Sequence, residues 1–536
     1  MENKTDKFFY YRMFIFSLVA GILIHLASFS EKVMMADGVL NEVWRKSNNW
    51  EITQGRWMLV VLDKINHHIV LSYVTTTISL IIMALVSVML LKMWELRSVV
   101  IAVVVVLLWM VNPQFAQLLS DPFVSAHYSL AMLFSVGAIY LVSRQRENCN
   151  WLVMLSGCLM IAISLGIYQA YYAVSAFLSV AFIIWLLLKE CNVRECVKVS
   201  IRLLFCLIGG GIFYIIITQV LFFILDLNWA QYRDMGSIGH IKIEQWIQRI
   251  VNAFSFGGQC YFSDDLLNVS WWKWKPLFLC DFSIVGIVIT LKIVKNISNK
   301  RTLEALFMLV CMILLIPIFG IVDIMTETGV GILLTPQIML PFIFSLIVVS
   351  DFMEDKGKLK NTIKHFFRFF GIGLSVIIFY QMVIYCGTYY KLIKLTYDKT
   401  LAMGTKISYE LTKIDEYIPG ETPVAILGNA VTVESLLPSE KEVWDAMKGS
   451  HAQYTLIHYV NSIGGQACWQ FLLSYHLGMK IETLSSEDIM KICKSDEFEA
   501  MNSSQTGDYI KLWQSGIAGI DRQAVVVKLS SDDILE

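Results

Sequence analysis

Eleven apolar stretches recur along this chain, most of them about as long as a helix needs to be to cross a bilayer, and they leave few folds open to it. In hydrocarbon every backbone polar group must pair within its own segment or within a closed barrel. A span needs about 20 apolar residues, and fewer where neighbouring helices bury it. The stretches are 8–29, 69–91, 98–111, 124–143, 151–165, 170–188, 201–225, 277–291, 303–321, 331–350 and 369–388. Those at 98–111, 151–165 and 277–291 are the shortest. Only 16% of the residues are charged and 56% are hydrophobic, against about 25% charged in a soluble domain. The net charge of -1, with no basic run, gives no footing for a nucleic-acid partner.

Basic residues alternate along these spans as the positive-inside bias requires. With Lys4, Lys7 and Arg12 inside, the other inner connectors are Lys92–Arg97, Arg144–Arg146, Lys189–Arg202, Lys292–Arg301 and Lys356–Arg368, each with at least two Lys or Arg. The short outer connectors 112–123, 166–169 and 322–330 carry none. This pattern predicts a polytopic α-helical membrane protein of about eleven spans, with the N-terminus inside and the C-terminus outside. No small-residue cleavage site follows Phe29, so the first span is read as uncleaved. The long loops 30–68 and 226–276 then face outward.

From about residue 389 the chain changes character. The charged stretch TYYKLIKLTYDKTLAMGTKISYELTKIDEYI places Leu392, Leu401, Ile407, Leu411 and Ile414 at helical spacing. Pro419-Gly420 marks a turn, and PVAILG (423–428), YIKLW (509–513) and AVVVKL (524–529) suit strands. Residues 389–536 are therefore expected to form a small extracytoplasmic α/β domain beside a membrane domain of residues 1–388. The eleven cysteines show no CxxC spacing. Cys158, Cys206 and Cys311 sit in apolar spans as small hydrophobes. Cys260, Cys386, Cys468 and Cys493 face outward, where the sequence leaves a disulfide open.

The middles of the spans are read as nearly empty of ionisable groups, with His25 and His127 the nearest cases. Coupled transporters usually keep carboxylates at that depth, so chemistry is expected at the outer surface. His25 reads as a hydrogen-bonded packing residue. The loop 30–68 is long for a connector and holds the acids Glu31, Asp37, Glu42 and Glu51, the bases Arg45, Lys46 and Arg56, and Trp44, Trp50 and Trp57. Asp37, in MMADGVL, has the chemistry of a general base that deprotonates an attacking sugar hydroxyl. On spacing alone the N-cap of a helix through VLNEVWRK is the favoured reading. Arg56, in QGRW, suits bidentate phosphate binding, with a snorkelling interfacial arginine as the alternative. Arg45 and Lys46 read as interface charges.

In the second loop Arg233, His240, Lys242 and Arg249 are further candidates for phosphate contacts. The adjacent Asp264 and Asp265 make a weak divalent-cation signal, and a solvated turn is the simpler reading. Trp229, Trp246, Trp271, Trp272 and Trp274 are read first as an interfacial aromatic belt, with sugar stacking as the alternative. Asp121 is the only acid in LLSDPF. Tyr168 and Gln169, in SLGIYQAYYA, lie where two spans break, a place that tolerates polar groups when they line a protein cavity.

The order of these pieces (ADGVLNEVW after the first span, QGRW entering the second, then SLGIYQAYYA) resembles bacterial O-antigen-conversion glucosyltransferases, the Gtr family, of the GT-C class. PVAILG is similar to that family's first strand. The resemblance implies an enzyme of the cytoplasmic membrane that takes glucose from an undecaprenyl-phosphate carrier on the outer leaflet. It would add the sugar to a polysaccharide such as O-antigen, with inversion. It maps the catalytic acid onto Asp37. Many GT-C enzymes carry a paired acidic motif there, whereas this chain has Asp-Gly, which leaves open both a divalent cation and the role of Glu42. Arg56 would hold the donor phosphate, Arg233 would assist, Asp121, Tyr168 and Gln169 would line the substrate cavity, and no other cofactor is implied. The rival readings are a polysaccharide polymerase or ligase, a flippase of lipid-linked sugar without chemistry, and a non-enzymatic glycan receptor.

Overall fold

The computed structural model describes residues 4–30, 33–145, 150–230, 243–262, 267, 269–322, 324, 335–354, 361–431, 435–447, 463–503 and 509–529. The chain forms two compact units. One comprises Met1–Leu26, Trp44–Leu119 and Val124–Gly387, and the other Ala27–Val43, Ser120–Phe123 and Thr388–Glu536.

The first unit is helical. Seven helices among the described residues are long and apolar enough to cross a membrane: Asp6–Ile24, Ser72–Met93, Pro122–Ser143, Gln169–Leu188, Val193–Leu225, Trp274–Ser298 and His365–Leu411. The pair Val99–Met110 and Pro113–Leu119, bent by 46°, makes up to eight. Pro113 supplies the break, since proline cannot donate the backbone bond that would continue the first helix. Trp151–Ile167, Thr302–Leu314 and Leu340–Asp351 are shorter apolar helices. Each expected span falls on one of these elements, but the three short ones do not reach the length of an independent span. The last expected span does not stop at residue 388, because Asn361–Leu411 is a single helix.

Small residues let these helices approach closely, as membrane helix packing requires. A side chain on Gly157 would meet Cys206 Sγ at 2.9 Å, and one on Gly209 would meet Cys158 Sγ at 2.8 Å, so Trp151–Ile167 lies tightly against Val193–Leu225. Buried hydroxyls are satisfied across helices, with Ser87 donating to Ser17 at 2.9 Å and Ser164 to the Ala131 carbonyl at 2.9 Å. His25 is the packing residue its sequence position suggested, 2.8 Å from the Met110 carbonyl through Nε2. One acid that the sequence reading did not name, Asp281, lies buried inside Trp274–Ser298 with a hydrogen bond to Ser345. Connectors assigned to one side by their charge meet one another. Glu190 Oε1 takes Lys292 at 2.8 Å and Lys295 at 2.9 Å, and Lys189 reaches Asp351 at 2.8 Å.

In the second unit all three expected strands form: β1 (Val424–Leu427), β2 (Ile510–Trp513) and β3 (Ala524–Lys528). Their order is β1-β3-β2, with β1 parallel and β2 antiparallel to β3. β1 is continuously apolar because both of its faces are covered. Val424 and Ile426 enter one core with Ile407, Leu411, Trp469 and Leu472, while Ala425 and Leu427 enter another with Ile489, Ile492, Phe498 and Trp513. The Gln466 amide caps the first core by donating to the Ile426 carbonyl at 2.7 Å and accepting from its N–H at 3.1 Å. Leu392 and the helical residues Ile407 and Leu411 are fully buried, so the expected amphipathic face is the packed one. The described cysteines are all free thiols, so none of the outward candidates forms a disulfide.

Candidate functional site

Asp37 belongs to the five-residue helix Ala36–Leu40 of the second unit. Flanking residues fix its position: Met34 and Val39 are fully buried in the core that contains Tyr397 and Trp469. Asp37 itself is exposed. It is not the N-cap that its spacing allowed, because Met35 occupies that position without a side-chain cap bond. The helix ends at Asn41, whose Nδ2 donates to the Asp37 carbonyl at 2.8 Å. A carboxylate in the first turn is favoured by the backbone dipoles. Its field is felt at Cys468, whose thiol is pushed up to about 12 by burial first and by Asp37 second.

Two other candidate acids are built into the same unit. Met35 N–H donates to the Ser120 carbonyl at 3.3 Å, which brings the LLSDPF turn alongside. A side chain on Gly38 would lie 3.5 Å from Asp121 Oδ1, so Asp121 stands next to the Asp37-Gly38 pair. Glu42 has its own partner, with Oε2 3.0 Å from His476 Nε2 and the Tyr397 hydroxyl 3.3 Å from the same nitrogen. Among the described residues no group of three or more His, Cys, Asp or Glu is placed to hold a metal ion.

In the first unit, two motifs far apart in sequence come together. The QGRW stretch links the helices Asn49–Thr53 and Trp57–Ile65, the former held by a capping box between Asn48 and Glu51. Gly55 has φ +72°, and a side chain there would collide with the Tyr214 hydroxyl, so only glycine fits the turn. The turn sets the Gln54 carbonyl 2.8 Å from Gln169 Nε2, 115 positions away, and the same amide donates to the Tyr214 hydroxyl at 3.0 Å. Arg56 lies with its guanidinium 4.9 Å from the centre of the Tyr168 ring, a cation–π distance. Tyr168 stacks in turn on Tyr128, 4.4 Å between centroids and 14° from parallel. Trp57 closes over Gly166, where a side chain would meet the indole at 2.5 Å. Tyr168 is therefore a buried stacking residue, not a belt anchor, and Arg56 is positioned by protein contacts while staying partly exposed.

The same unit holds a charged cluster that sequence reading passed over. Arg45, taken for an interface charge, is buried, with Nε 3.2 Å from Asp63 Oδ2 and Nη2 3.5 Å from Glu51. Asp63 also accepts from the Ser47 hydroxyl and lies 3.8 Å from His127 Nε2, which is 3.2 Å from the Asn66 amide. Burial raises the Asp63 pKa, and Arg45 and Ser47 pull it back in part. The signal for this cluster was an acid at VVLDKI inside an apolar helix. Arg249, a phosphate candidate, is buried and its Nη1 lies 3.4 Å from the Ile324 carbonyl. Trp274 is buried in the protein, whereas Trp246 is exposed. Arg233, His240, Lys242, Asp264 and Asp265 lie outside the described residues.

The family model described as glucosyl transferase GtrII matches residues 41–350, more than half of the chain. The match contains the QGRW turn, Tyr168, Gln169 and the Arg45–Asp63 cluster, and begins four residues after Asp37. No curated protein matches, and no solved structure does.

Proposed function

The chain belongs to the GtrII glucosyl transferase family, and from that membership we propose that this membrane glycosyltransferase moves glucose from a polyprenyl-phosphate donor to a cell-surface polysaccharide such as O-antigen. The reaction takes place on the outer face of the cytoplasmic membrane of a bacterium. Membership sets aside a flippase without chemistry and a glycan receptor.

The observation that carries the reading is the convergence of QGRW with GIYQ, which leaves one partly exposed guanidinium over a stacked tyrosine pair. Guanidinium keeps its proton and matches a phosphate oxygen pair. In the proposed step Asp37 takes the proton of an acceptor hydroxyl, whose oxygen attacks the anomeric carbon of the donor. The carbon–oxygen bond to the polyprenyl phosphate breaks from the opposite face, and Arg56 stabilises the departing phosphate. One displacement inverts the centre and needs no covalent enzyme intermediate. Asp121, beside Gly38, and Glu42, paired with His476, are assigned to acceptor binding. Tyr168 and Gln169 are assigned to the donor cavity and Arg233 to the phosphate. An exposed carboxylate on a core-anchored turn suits a base that must meet a large glycan.

The test incubates purified protein with a panel of polyprenyl-phosphate sugars and candidate glycans and looks for a new glycosidic linkage. Asp37→Asn is expected to abolish transfer while leaving membrane insertion and thermal melting unchanged. Full transfer by that variant would remove Asp37 from the mechanism, and exclusive use of diphosphate-linked glycans would favour a polymerase or ligase.

A further inference from the structure

A groove at the opposite end of the first unit's helices plays no part in the proposed reaction. It encloses about 570 Å³ between the first turns of Val193–Leu225 and of Thr302–Leu314. Its walls are aliphatic and aromatic. Val197, Leu303, Leu306 and Val310 are all exposed apolar side chains that line it. The remaining lining includes two cations, Arg194 and Lys198, both exposed. Four residues apart on one helix, they stand on the same face one turn from each other. Among the described residues neither side chain has an ion-pair partner. They sit in the connector region 189–202, which the charge bias places on the inner side of the membrane.

From this combination we infer that the groove is a binding site for an anionic glycerophospholipid of the bilayer, with its phosphodiester held by Arg194 and Lys198 and its acyl chains along the apolar wall. Charge complementarity selects the occupant. A wall of exposed leucine and valine facing hydrocarbon accepts any lipid, but two adjacent unpaired cations at headgroup depth favour a net negative headgroup over a zwitterionic one. The groove adjoins the amino-terminal turn of a 33-residue helix, whose backbone dipoles add to the attraction for an anion. The helix is capped by the Asn192 side chain accepting from Arg194 N–H at 3.0 Å, which fixes the turn that presents the first cation. A second fixed point lies at the start of the other helix, where Arg301 donates to the Cys191 carbonyl at 3.1 Å and holds the two connectors together. The long stems of arginine and lysine follow the apolar wall and leave their charged ends at the interface.

The experiment measures lipid retention by the full-length protein with native mass spectrometry, after exchange into phosphatidylglycerol or phosphatidylcholine of matched chains. Apparent melting in the same two lipids is the second readout. Wild type is expected to retain phosphatidylglycerol selectively and to melt higher in it. Arg194→Gln with Lys198→Gln should weaken retention about five-fold for each cation removed, about twenty-five-fold together, and should abolish the melting difference. Val310→Trp fills the groove with both cations intact and should also lose the selectivity. Equal retention of the two lipids by wild type, or undiminished selectivity in either variant, overturns the proposal. Retention of polyprenyl phosphate in place of phosphatidylglycerol overturns the assigned occupant. These readouts do not depend on sugar transfer.

Discussion

Replacing Arg45 with methionine should be the most damaging single change in the segment 33–68, although Arg45 lies outside the proposed catalytic set. Arg45 and Asp63 are 6% and 3% exposed and 3.2 Å apart. The variant keeps the volume and the apolar stem but strands Asp63, with Ser47 still donating and the other charges farther off. A stranded buried charge costs about 3–5 kcal/mol. An independent bound agrees with this. Asp63 can escape the penalty by binding a proton, and protonating an ordinary carboxylate at pH 7 costs about 4 kcal/mol. The loss should therefore shrink as pH falls toward the ordinary carboxylate range. In wild type the sign is the same but weaker: Asp63 has a raised folded pKa, so its contribution to stability is greatest at low pH and declines as pH rises from the ordinary value through the raised one. Melting followed by tryptophan fluorescence in detergent, across a pH series, measures both effects. Arg45→Met with Asp63→Leu should recover most of the stability, because two apolar groups replace the pair. The reasoning fails if Arg45→Met melts with wild type, or if the double variant melts no higher than the single one.

Three other perturbations test separate parts of the structure. Gly55→Ala forces a left-handed conformation that costs about 1–2 kcal/mol and drives the new methyl into the Tyr214 hydroxyl; it should lower melting and raise the KM for donor, with Tyr214→Phe in the same chain restoring part of the melting. Glu190 is held down to about 2 by hydrogen bonds from Lys292 and then Lys295. Its contribution is present above the ordinary glutamate value and is lost as pH falls toward 2, so Glu190→Gln should melt slightly below wild type at neutral pH and with it in acid, a modest effect because the carboxylate is partly solvated. Tyr168→Leu removes the ring beneath Arg56 and should reduce kcat/KM about ten-fold, the order of a desolvated cation–π contact, with little change in acceptor KM in steady-state assays.

The helices and strands were legible wherever one local rule decided them. Apolar length identified the spans, and VAIL and AVVVK read as buried strands because both faces of the small sheet are covered, a pattern a one-sided sheet would not produce. The same rule set no end to the last span. From Asn361 to Leu411 the residues change from apolar to mixed without a proline or a cap, so the helix continues while its surroundings change. Charge was read less well, because a sequence carries no depth. Arg45 and Asp63 resemble solvated loop residues until they are found buried against each other, and Asp281 disappears into a span whose average hydropathy it hardly alters. The site was legible as pieces: QGRW and SLGIYQAYYA each stood out, but no local pattern shows that the Gln169 amide reaches back to the Gln54 carbonyl. Gly166 carried that information directly, since a side chain there would collide with Trp57 of the partner motif, whereas one on Gly55 would collide with Tyr214, which shares the Gln169 amide. A glycine inside such a motif, two positions before an aromatic residue, is thus a signal of long-range approach. Substitution of Gly166 by alanine should disturb Arg56 through Trp57 with no direct contact to substrate.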